Sequence, residues 1–291
     1  MRTRFAPSPT GPLHLGHAYS ALLAEGMVRE AHGTFLLRIE DIDSTRSRPQ
    51  WEAQIHDDLR WLGIRWDEEP LRQSDRLPAY EAALDGLWAR ELIYPCTCSR
   101  RDILAAASAP QEGAEPAYGP DGLVYPGTCR DLRAPGYGRA PRPRGEALRL
   151  NMARALEIAG TDLWFEETGA GPAGDTGRIA LSPEQLLHQV GDVVLSRRDF
   201  PGSYHLSVVL DDAAQEISHV VRGRDLFDAT AIHVVLQRVM GLPTPVYHHH
   251  ALIRDAEGKR LAKRDDARAI ATYRAEGATP GDIRRMVGLA G

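Results

Sequence analysis

The sequence predicts an α/β fold of the doubly wound, parallel kind, and three observations carry that reading. The chain opens strand, loop, helix; an apolar second strand follows at a separation suited to a parallel crossover; and the same alternation returns towards the C-terminus after an irregular middle stretch. With 291 residues, 43% of them hydrophobic, there is apolar surface for one large domain or two modest ones without disulfide staples, which excludes a peptide or a disordered regulator.

The elements follow in order. Thr3 to Ala6 reads as a short strand, Pro7 to Pro12 as a loop punctuated by Pro and Gly, and Leu15 to Ala31 as a helix. Thr34 to Ile39 is an apolar strand ending in the acids Glu40, Asp41 and Asp43. Pro49 suits the first turn of a helix whose Trp51, Ile55, Leu59 and Leu62 share a face, and Tyr80, Leu84 and Leu87 repeat that spacing. Tyr94 to Cys129 is rich in Pro, Gly and Ala, and from Ala134 to Gly145 proline and glycine alternate with arginine, so this region reads as inserted loops. Strand-like pieces return at Leu148 to Met152, Leu163 to Glu166 and Asp192 to Leu195. Glu216 to Val221 is a further strand, and Asp228 is placed to cap a helix presenting Ile232, Val235, Leu236 and Val239. Val246 to Ile253 is the last strand, followed by a turn at Asp255 to Gly258 and then by weak helices.

Composition narrows the function classes. No apolar run is long enough to span a bilayer, and the N-terminus is not a basic cap before an apolar signal core, so a soluble, cytoplasmic chain without a membrane partner is expected. A formal charge of -5 gives no global attraction to nucleic acid; an RNA partner would need a local patch. The only cysteines, Cys96, Cys98 and Cys129, fall in one short stretch, which suggests a metal site. Of 35 basic residues just two are lysines, Lys259 and Lys263, both within the five residues KRLAK, where a flexible ammonium replaces the arginine used everywhere else.

Chemistry concentrates where the first loop enters the first helix. His14, Gly16 and His17 place two imidazoles around a glycine at a helix N-terminus, where free N–H groups and the positive dipole end suit phosphate. Helix capping is the structural alternative. The late basic loop would welcome polyphosphate charge.

HLGH after RFAPSPTGPL, with RLAK late in the chain, resembles the two signatures of class I aminoacyl-tRNA synthetases, and RFAPSPTG, LLRIEDID, SYHLSVVLDD and HVVRGRDL resemble segments of the glutamyl branch. The family's late motif usually carries Ser or Thr where Ala262 stands and Lys or Met where Arg260 stands; its last lysine is kept as Lys263. The resemblance implies a Rossmann-like catalytic domain in two halves, residues 1–93 and 191–291, around an inserted, smaller zinc-binding and acceptor-binding-like region at 94–190. It implies that His14, Gly16, His17 and Lys263 bind ATP with its Mg²⁺, and that His14, His17 and Lys263 stabilise charge as the α-phosphate is attacked. It maps Arg4, Phe5, Ala6, Pro7, Ser8, Glu40, Tyr204 and Arg222 onto an L-glutamate pocket, with Glu40 accepting the ammonium. It completes the three cysteines with Tyr125 as a structural zinc site; Tyr118 lies near in sequence.

Arg130, Arg133, Arg139, Arg142, Arg144 and Arg149 form the best candidate RNA patch, and the run His248 to His250 is read as strand-end packing with no ligand role. Only 28 residues follow Lys263, too few for an anticodon-binding domain, so the resemblance narrows to the shorter branch of the family, which activates glutamate without tRNA and transfers it to queuosine at the wobble position of tRNA(Asp). The alternatives are a truncated synthetase charging a tRNA 3′ end and a noncatalytic ATP or glutamate sensor.

Overall fold

The first crossover forms where its spacing predicts. In the computed structural model, which describes residues 1–108, 117–132, 134–253 and 268–289, β1 (Arg2–Phe5), α1 (Leu15–Glu30) and β2 (Thr34–Ile39) make one βαβ unit, with Arg2 to Phe5 in parallel register with Thr34 to Leu37. α2 (Pro49–Trp61) buries Ile55 and Leu59 and leads to the short β3 (Leu71–Arg72) beside β2. α3 (Leu77–Ala89) buries Tyr80, Leu84 and Leu87 as their spacing requires.

The middle of the chain contains β4 (Ile93–Cys96), α4 (Arg100–Ser108), the hairpin β5 (Tyr118–Gly119) and β6 (Gly122–Leu123), β7 (Ala147–Leu150), α5 (Met152–Ala159), β8 (Trp164–Glu167), β9 (Gly177–Ala180) and the single turn α6 (Pro183–Gln185). β10 (Val194–Ser196) follows, then α7 (Tyr204–Ala214), β11 (His219–Gly223), α8 (Thr230–Met240), β12 (Val246–His250), α9 (Ile270–Ala275) and α10 (Pro280–Met286). β4, β7 and β10 form an antiparallel sheet of their own, with β7 in the centre.

β11 and β12 pair in parallel, and β8 and β9, from the span read as inserted, extend their sheet to the order β11-β12-β8-β9. β1 lies against β11, because the Ser218 N–H donates to the Arg2 carbonyl at 3.0 Å and the Thr3 hydroxyl to the His219 carbonyl at 2.7 Å. The two sheets therefore sit side by side, and the chain reverses its direction of travel between β1 and β11. In such sheets the crevice beyond the carboxyl ends of the strands at that reversal is where ligands bind.

Both faces of this sheet are covered. Strand alternation sends Phe35, Leu37, Ile39 and Val221 into one buried cluster with α1, α2 and α10, and Leu36 and Val220 into a second with α3, α5, α7 and α8. That double burial is why the strands read as apolar runs without a polar face.

Two sequence expectations change. Asp228 does not cap α8: Ala229 occupies the cap position without a side-chain bond, because the 3₁₀ turn Arg224–Leu226 carries the chain into the helix. The last strand ends at His250 and not Ile253, and the expected turn at Asp255 to Gly258 lies outside the described residues.

One glycine sets how β8 meets β12. A Cβ on Gly169 would lie 2.3 Å from the His249 carbonyl oxygen, a backbone atom that cannot swing aside. Gly169→Ala should cost about 1–3 kcal/mol by overpacking and push β12 from Glu167. Urea unfolding would show it as a lower midpoint at unchanged slope.

Candidate active site

The carboxyl ends of β1, β2, β11 and β12 converge on a cavity of about 380 Å³. Arg4, Phe5 and Ala6 come from β1 and its exit, Glu40 from the end of β2, Arg222 and Gly223 from β11, His250 from β12, and Tyr204 from the first turn of α7. His14, Gly16 and His17 line it from the start of α1. The structure thus gathers nearly every residue that the sequence nominated for ATP and glutamate. Pro7 and Ser8 stay off the wall; the Pro7 carbonyl instead accepts the Glu40 N–H at 3.0 Å and fixes where that acid leaves the strand. Lys263, with Arg260 and Ala262, lies outside the described residues.

His14 and His17 cap α1 and line the cavity together. His14 Nδ1 accepts the Gly16 N–H at 3.1 Å, His17 Nδ1 accepts the His14 N–H at 3.2 Å, and the rings stack at 3.8 Å. A ring nitrogen that accepts a backbone N–H carries no proton, so each neutral imidazole is an Nε2–H donor. Capping and nucleotide binding are therefore compatible: one nitrogen orders the helix start and sets the other as a donor.

The charges show a pattern that the sequence did not reveal. Asp212, at the end of α7, accepts from Arg4 Nε at 2.7 Å and Nη2 at 3.3 Å and from Arg38 Nη1 at 2.6 Å. Arg38 is fully buried, and its Nη2 reaches Glu40 Oε1 at 3.2 Å. Burial opposes the Arg38 charge, but Asp212 and Glu40 more than offset it and raise its pKa. Burial pushes the Glu40 carboxyl up, against the pull of Arg38 and Arg4. Burial would also raise Asp212, yet the two arginines hold it below the usual aspartate range. Two buried cations and two buried acids thus cancel.

Arg222 is different. Its Nε donates to His249 Nε2 at 3.0 Å, Nη1 to His233 Nδ1 at 3.2 Å, and Nη2 to the Thr230 hydroxyl at 2.7 Å and the Leu226 carbonyl at 3.2 Å. None of these partners is a carboxylate. Of its five N–H groups one, on Nη1, has no acceptor among the described residues. Arg222 is therefore a buried cation on the cavity wall whose charge the described protein leaves uncancelled in direct contact, which suits an anionic ligand. The Tyr204 hydroxyl likewise has no hydrogen-bond partner among the described residues, and burial raises its pKa, so it stands as a neutral donor.

Sequence reading missed Arg38, Asp212, His233 and His249. All but His233 stand inside or next to segments already singled out, LLRIEDID, SYHLSVVLDD and the histidine run, but their roles arise only from contacts across the fold. His249 is not mere strand-end packing: alternation turns it inward onto Arg222, while its neighbour His250 lines the cavity and holds the Ser20 hydroxyl at 2.7 Å.

The three cysteines meet. Their sulfurs lie within 4.8 Å of one another, and they form the one such metal-capable group among the described residues. Cys98 Sγ is 3.5 Å from Cys129 Sγ, too far for a disulfide and close to the roughly 3.8 Å that tetrahedral zinc thiolates require. Tyr125 joins them, its oxygen 3.4 Å from Cys98 Sγ and accepting the Cys129 N–H at 2.8 Å. Burial opposes the Cys129 thiolate, but hydrogen bonds from Tyr125, the Thr97 backbone and Cys98 lower its pKa to about 6. Burial and the surrounding thiols raise Tyr125, so a metal is what its deprotonation would need. Tyr118 is exposed in the hairpin. The donor set fits a metal.

The proposed RNA patch is partly spent inside the protein. Arg142 and Arg144 close on Glu81, with Arg142 also 2.7 Å from Asp85; Arg130 reaches Asp192 at 3.1 Å; and Arg149 bonds the Asp192 carbonyl while its guanidinium lies over the Tyr125 ring. Arg139 is exposed, and Arg133 lies outside the described residues.

Comparison with known proteins agrees with this geometry. The fold is that of a class I tRNA synthetase: the family described as "tRNA synthetases class I (E and Q), catalytic domain" matches residues 1–120 and 174–291. The chain is 65% identical to the glutamyl-Q tRNA(Asp) synthetase of Rhodobacter capsulatus, over 99% of this chain and 100% of that protein. It is 43% identical to the one of Symbiobacterium thermophilum, over 95% of this chain and 82% of that protein. A glutamate tRNA ligase from Elizabethkingia meningosepticum, solved in complex with its amino acid, superposes with a TM-score of 0.73 at 27% identity; the match covers 99% of this chain and 60% of the ligase. The chain belongs to the class I synthetase family of the glutamate and glutamine type, in its glutamyl-Q tRNA(Asp) synthetase branch. Among the described residues no helix is long and apolar enough to cross a membrane.

Asp212→Ala leaves two buried guanidinium groups short of a partner and should cost about 3–5 kcal/mol at neutral pH. Because the folded pKa is depressed, the stabilisation is fully present above the ordinary aspartate pKa and is lost as pH falls through the folded value. Unfolding free energies of both proteins, measured from pH 7 down to about 3, should converge on the acid side.

Proposed function

We propose that this cavity activates L-glutamate with ATP, without tRNA, and that the glutamyl group passes to queuosine at the wobble position of tRNA(Asp). The observation that carries the activation step is the uncancelled charge of Arg222 beside Glu40. The acceptor is supported by the glutamyl-Q tRNA(Asp) synthetase relatives, the Rhodobacter capsulatus protein matching over 99% of this chain.

Arg222 takes the side-chain carboxylate, with Tyr204 donating beside it, and Glu40 takes the ammonium through the oxygen that Arg38 does not hold. Arg4 serves mainly to hold Asp212, Phe5 and Ala6 line the wall, and Pro7 holds the Glu40 backbone. The substrate's α-carboxylate then attacks the α-phosphorus of ATP; a P–O bond forms to the carboxylate and pyrophosphate leaves with the electrons of the broken bond. No side-chain nucleophile is needed, so catalysis rests on orientation and charge stabilisation. The Nε2–H groups of His14 and His17 and the amide end of α1 stabilise the phosphoryl oxygens, and Mg²⁺ accompanies ATP. In the second step an acceptor hydroxyl attacks the activated carbonyl and AMP departs.

Lys263 completes the phosphate grip in this reading. Its support is that the described chain leaves at cavity-lining Leu252 and Ile253 and resumes at Arg268, next to Ala269, which bridges to His14. Cys96, Cys98, Cys129 and Tyr125 would hold one zinc ion, which supplies a crosslink and takes no part in the reaction. The same reading divides the chain into catalytic halves 1–93 and 191–291 around a region at 94–190, whose β8 and β9 return to the catalytic sheet.

The acceptor is tested by incubating the protein with ATP, radiolabelled glutamate and tRNA(Asp) with or without queuosine, beside tRNA(Glu), and locating label by nuclease digestion. Label on the queuosine nucleotide is expected; label confined to the terminal ribose of tRNA(Glu) would restore the truncated synthetase. Lys263→Ala should slow glutamate-dependent pyrophosphate exchange about a hundredfold while keeping the preference for glutamate, and an unchanged rate would remove that lysine from the mechanism. Metal analysis of tag-free protein should find one zinc per chain. Zinc retained in Tyr125→Phe would move only the fourth ligand.

A further inference from the structure

Arg222 is held by imidazoles, and the identity of its partners dictates a proton arrangement. A guanidinium only donates, so His233 Nδ1, 3.2 Å from Arg222 Nη1, must be a lone pair. His233 is almost wholly buried, and burial with the nearby Arg222 charge lowers its pKa far enough to keep it neutral. Its one proton is then on Nε2, which lies 3.2 Å from His205 Nδ1. His205 Nδ1 must accept, so the His205 proton sits on Nε2, 3.3 Å from Asp121 Oδ1. The hydrogen bonds all run one way, from a cation through two rings to a carboxylate. Turning either ring would set donor against donor or lone pair against lone pair.

A shorter chain leaves the same guanidinium. His249 Nε2 accepts from Arg222 Nε, so His249 Nδ1 carries the proton and donates to Glu167 Oε2 at 2.5 Å. Glu167 Oε1 is fixed by the Gly169 N–H at 2.7 Å and the His249 N–H at 2.9 Å. Burial works against the Glu167 carboxylate, but the bonds from His249 and Gly169 hold its pKa below the usual range. Each chain therefore ends on a carboxylate, one imidazole away in one case and two in the other.

We propose that His233, His205 and Asp121, with His249 and Glu167, are positioning residues that orient Arg222 without neutralising it, and so set the affinity for the substrate's side-chain carboxylate. The inference rests on the reading of Arg222 as the partner of that carboxylate. A carboxylate bonded directly to Arg222 would fix the guanidinium equally well but would compete with the ligand for it. Neutral imidazoles fix the plane through directional bonds and leave the charge available. Asp121 is the informative member, because it sits in the partly exposed turn between β5 and β6, far in sequence from the site it orients, and its removal leaves the core untouched.

The test compares wild type, Asp121→Ala and Asp121→Asn by two measurements: histidine tautomers from long-range proton–nitrogen NMR, and glutamate KM in tRNA-free ATP–pyrophosphate exchange. In wild type, His205 and His233 should be Nε2–H and His249 Nδ1–H. In Asp121→Ala, Arg222 still fixes the His233 and His249 tautomers, while the His205 Nε2 proton loses its acceptor and its NMR signal should shift. Glutamate KM should rise about fivefold, the scale of one lost hydrogen bond, with kcat and the KM for ATP unchanged. Asp121→Asn, which keeps an acceptor oxygen, should restore both. Any other tautomer in wild type, or an unmoved His205 Nε2–H signal in Asp121→Ala, would overturn the relay, and a moved signal with an unchanged KM would overturn its positioning role. Arg222→Lys separates the underlying reading: if that substitution leaves glutamate KM alone, the carboxylate assignment of Arg222 fails irrespective of the tautomers.

Discussion

A single carboxylate at the end of α7 holds two arginines from adjacent strands, and neutralisation stops short of a third. Asp212 bonds Arg4 of β1 and Arg38 of β2, and Glu40 closes the group on its other side. Desolvating four charges is costly unless each finds its partner, so these side chains fix the strand ends to α7. The neighbouring Asp211 faces the other way, accepting from the Tyr80 hydroxyl at 2.7 Å and Gln73 at 3.0 Å, which ties the same helix to α3. Against that balanced surround, Arg222 keeps a net charge on the cavity wall. In the proposed function, selectivity for an acidic amino acid follows from which cation is left without an acid.

The middle of the chain is organised by the same economy of charge. Asp192 accepts from the Tyr94 hydroxyl at 2.5 Å, from the Met152 N–H at 2.9 Å and from Arg130 at 3.1 Å. Arg130 follows Cys129 directly, so the end of the cysteine loop is anchored to the β4-β7-β10 sheet by an ion pair as well as by whatever the thiolates bind. This explains why a stretch that reads as loose, arginine-rich loop is built into the protein. Its arginines were legible as charge but not as partners, because Glu81, Asp85 and Asp192 reach them only after α3 and β10 fold against the loop.

Much of the site was legible because its residues stand at element boundaries that local sequence marks. The HLGH turn announces a helix start, Glu40 ends an apolar strand, and three clustered cysteines announce a metal-capable group. Arg38 was hidden because β2 is buried on both faces, so a charge among Phe35, Leu36, Leu37 and Ile39 reads as an interruption and not as a site. His233 was hidden on a helix whose apolar face it shares, and His249 within a repeated histidine whose inward member only the strand register selects. Those roles depend on residues far apart in the chain, which no local pattern encodes.

The central claim, that Arg222 reads the side-chain carboxylate by charge, is most directly tested by amino-acid discrimination. ATP–pyrophosphate exchange would be measured with glutamate and with glutamine for wild type and Arg222→Gln. Losing a charge-assisted bond of roughly 1.5–3 kcal/mol, about tenfold to a hundredfold, should collapse the wild-type preference for glutamate by that factor, chiefly through glutamate KM. An Arg222→Gln protein that still favours glutamate as strongly as wild type would contradict the claim.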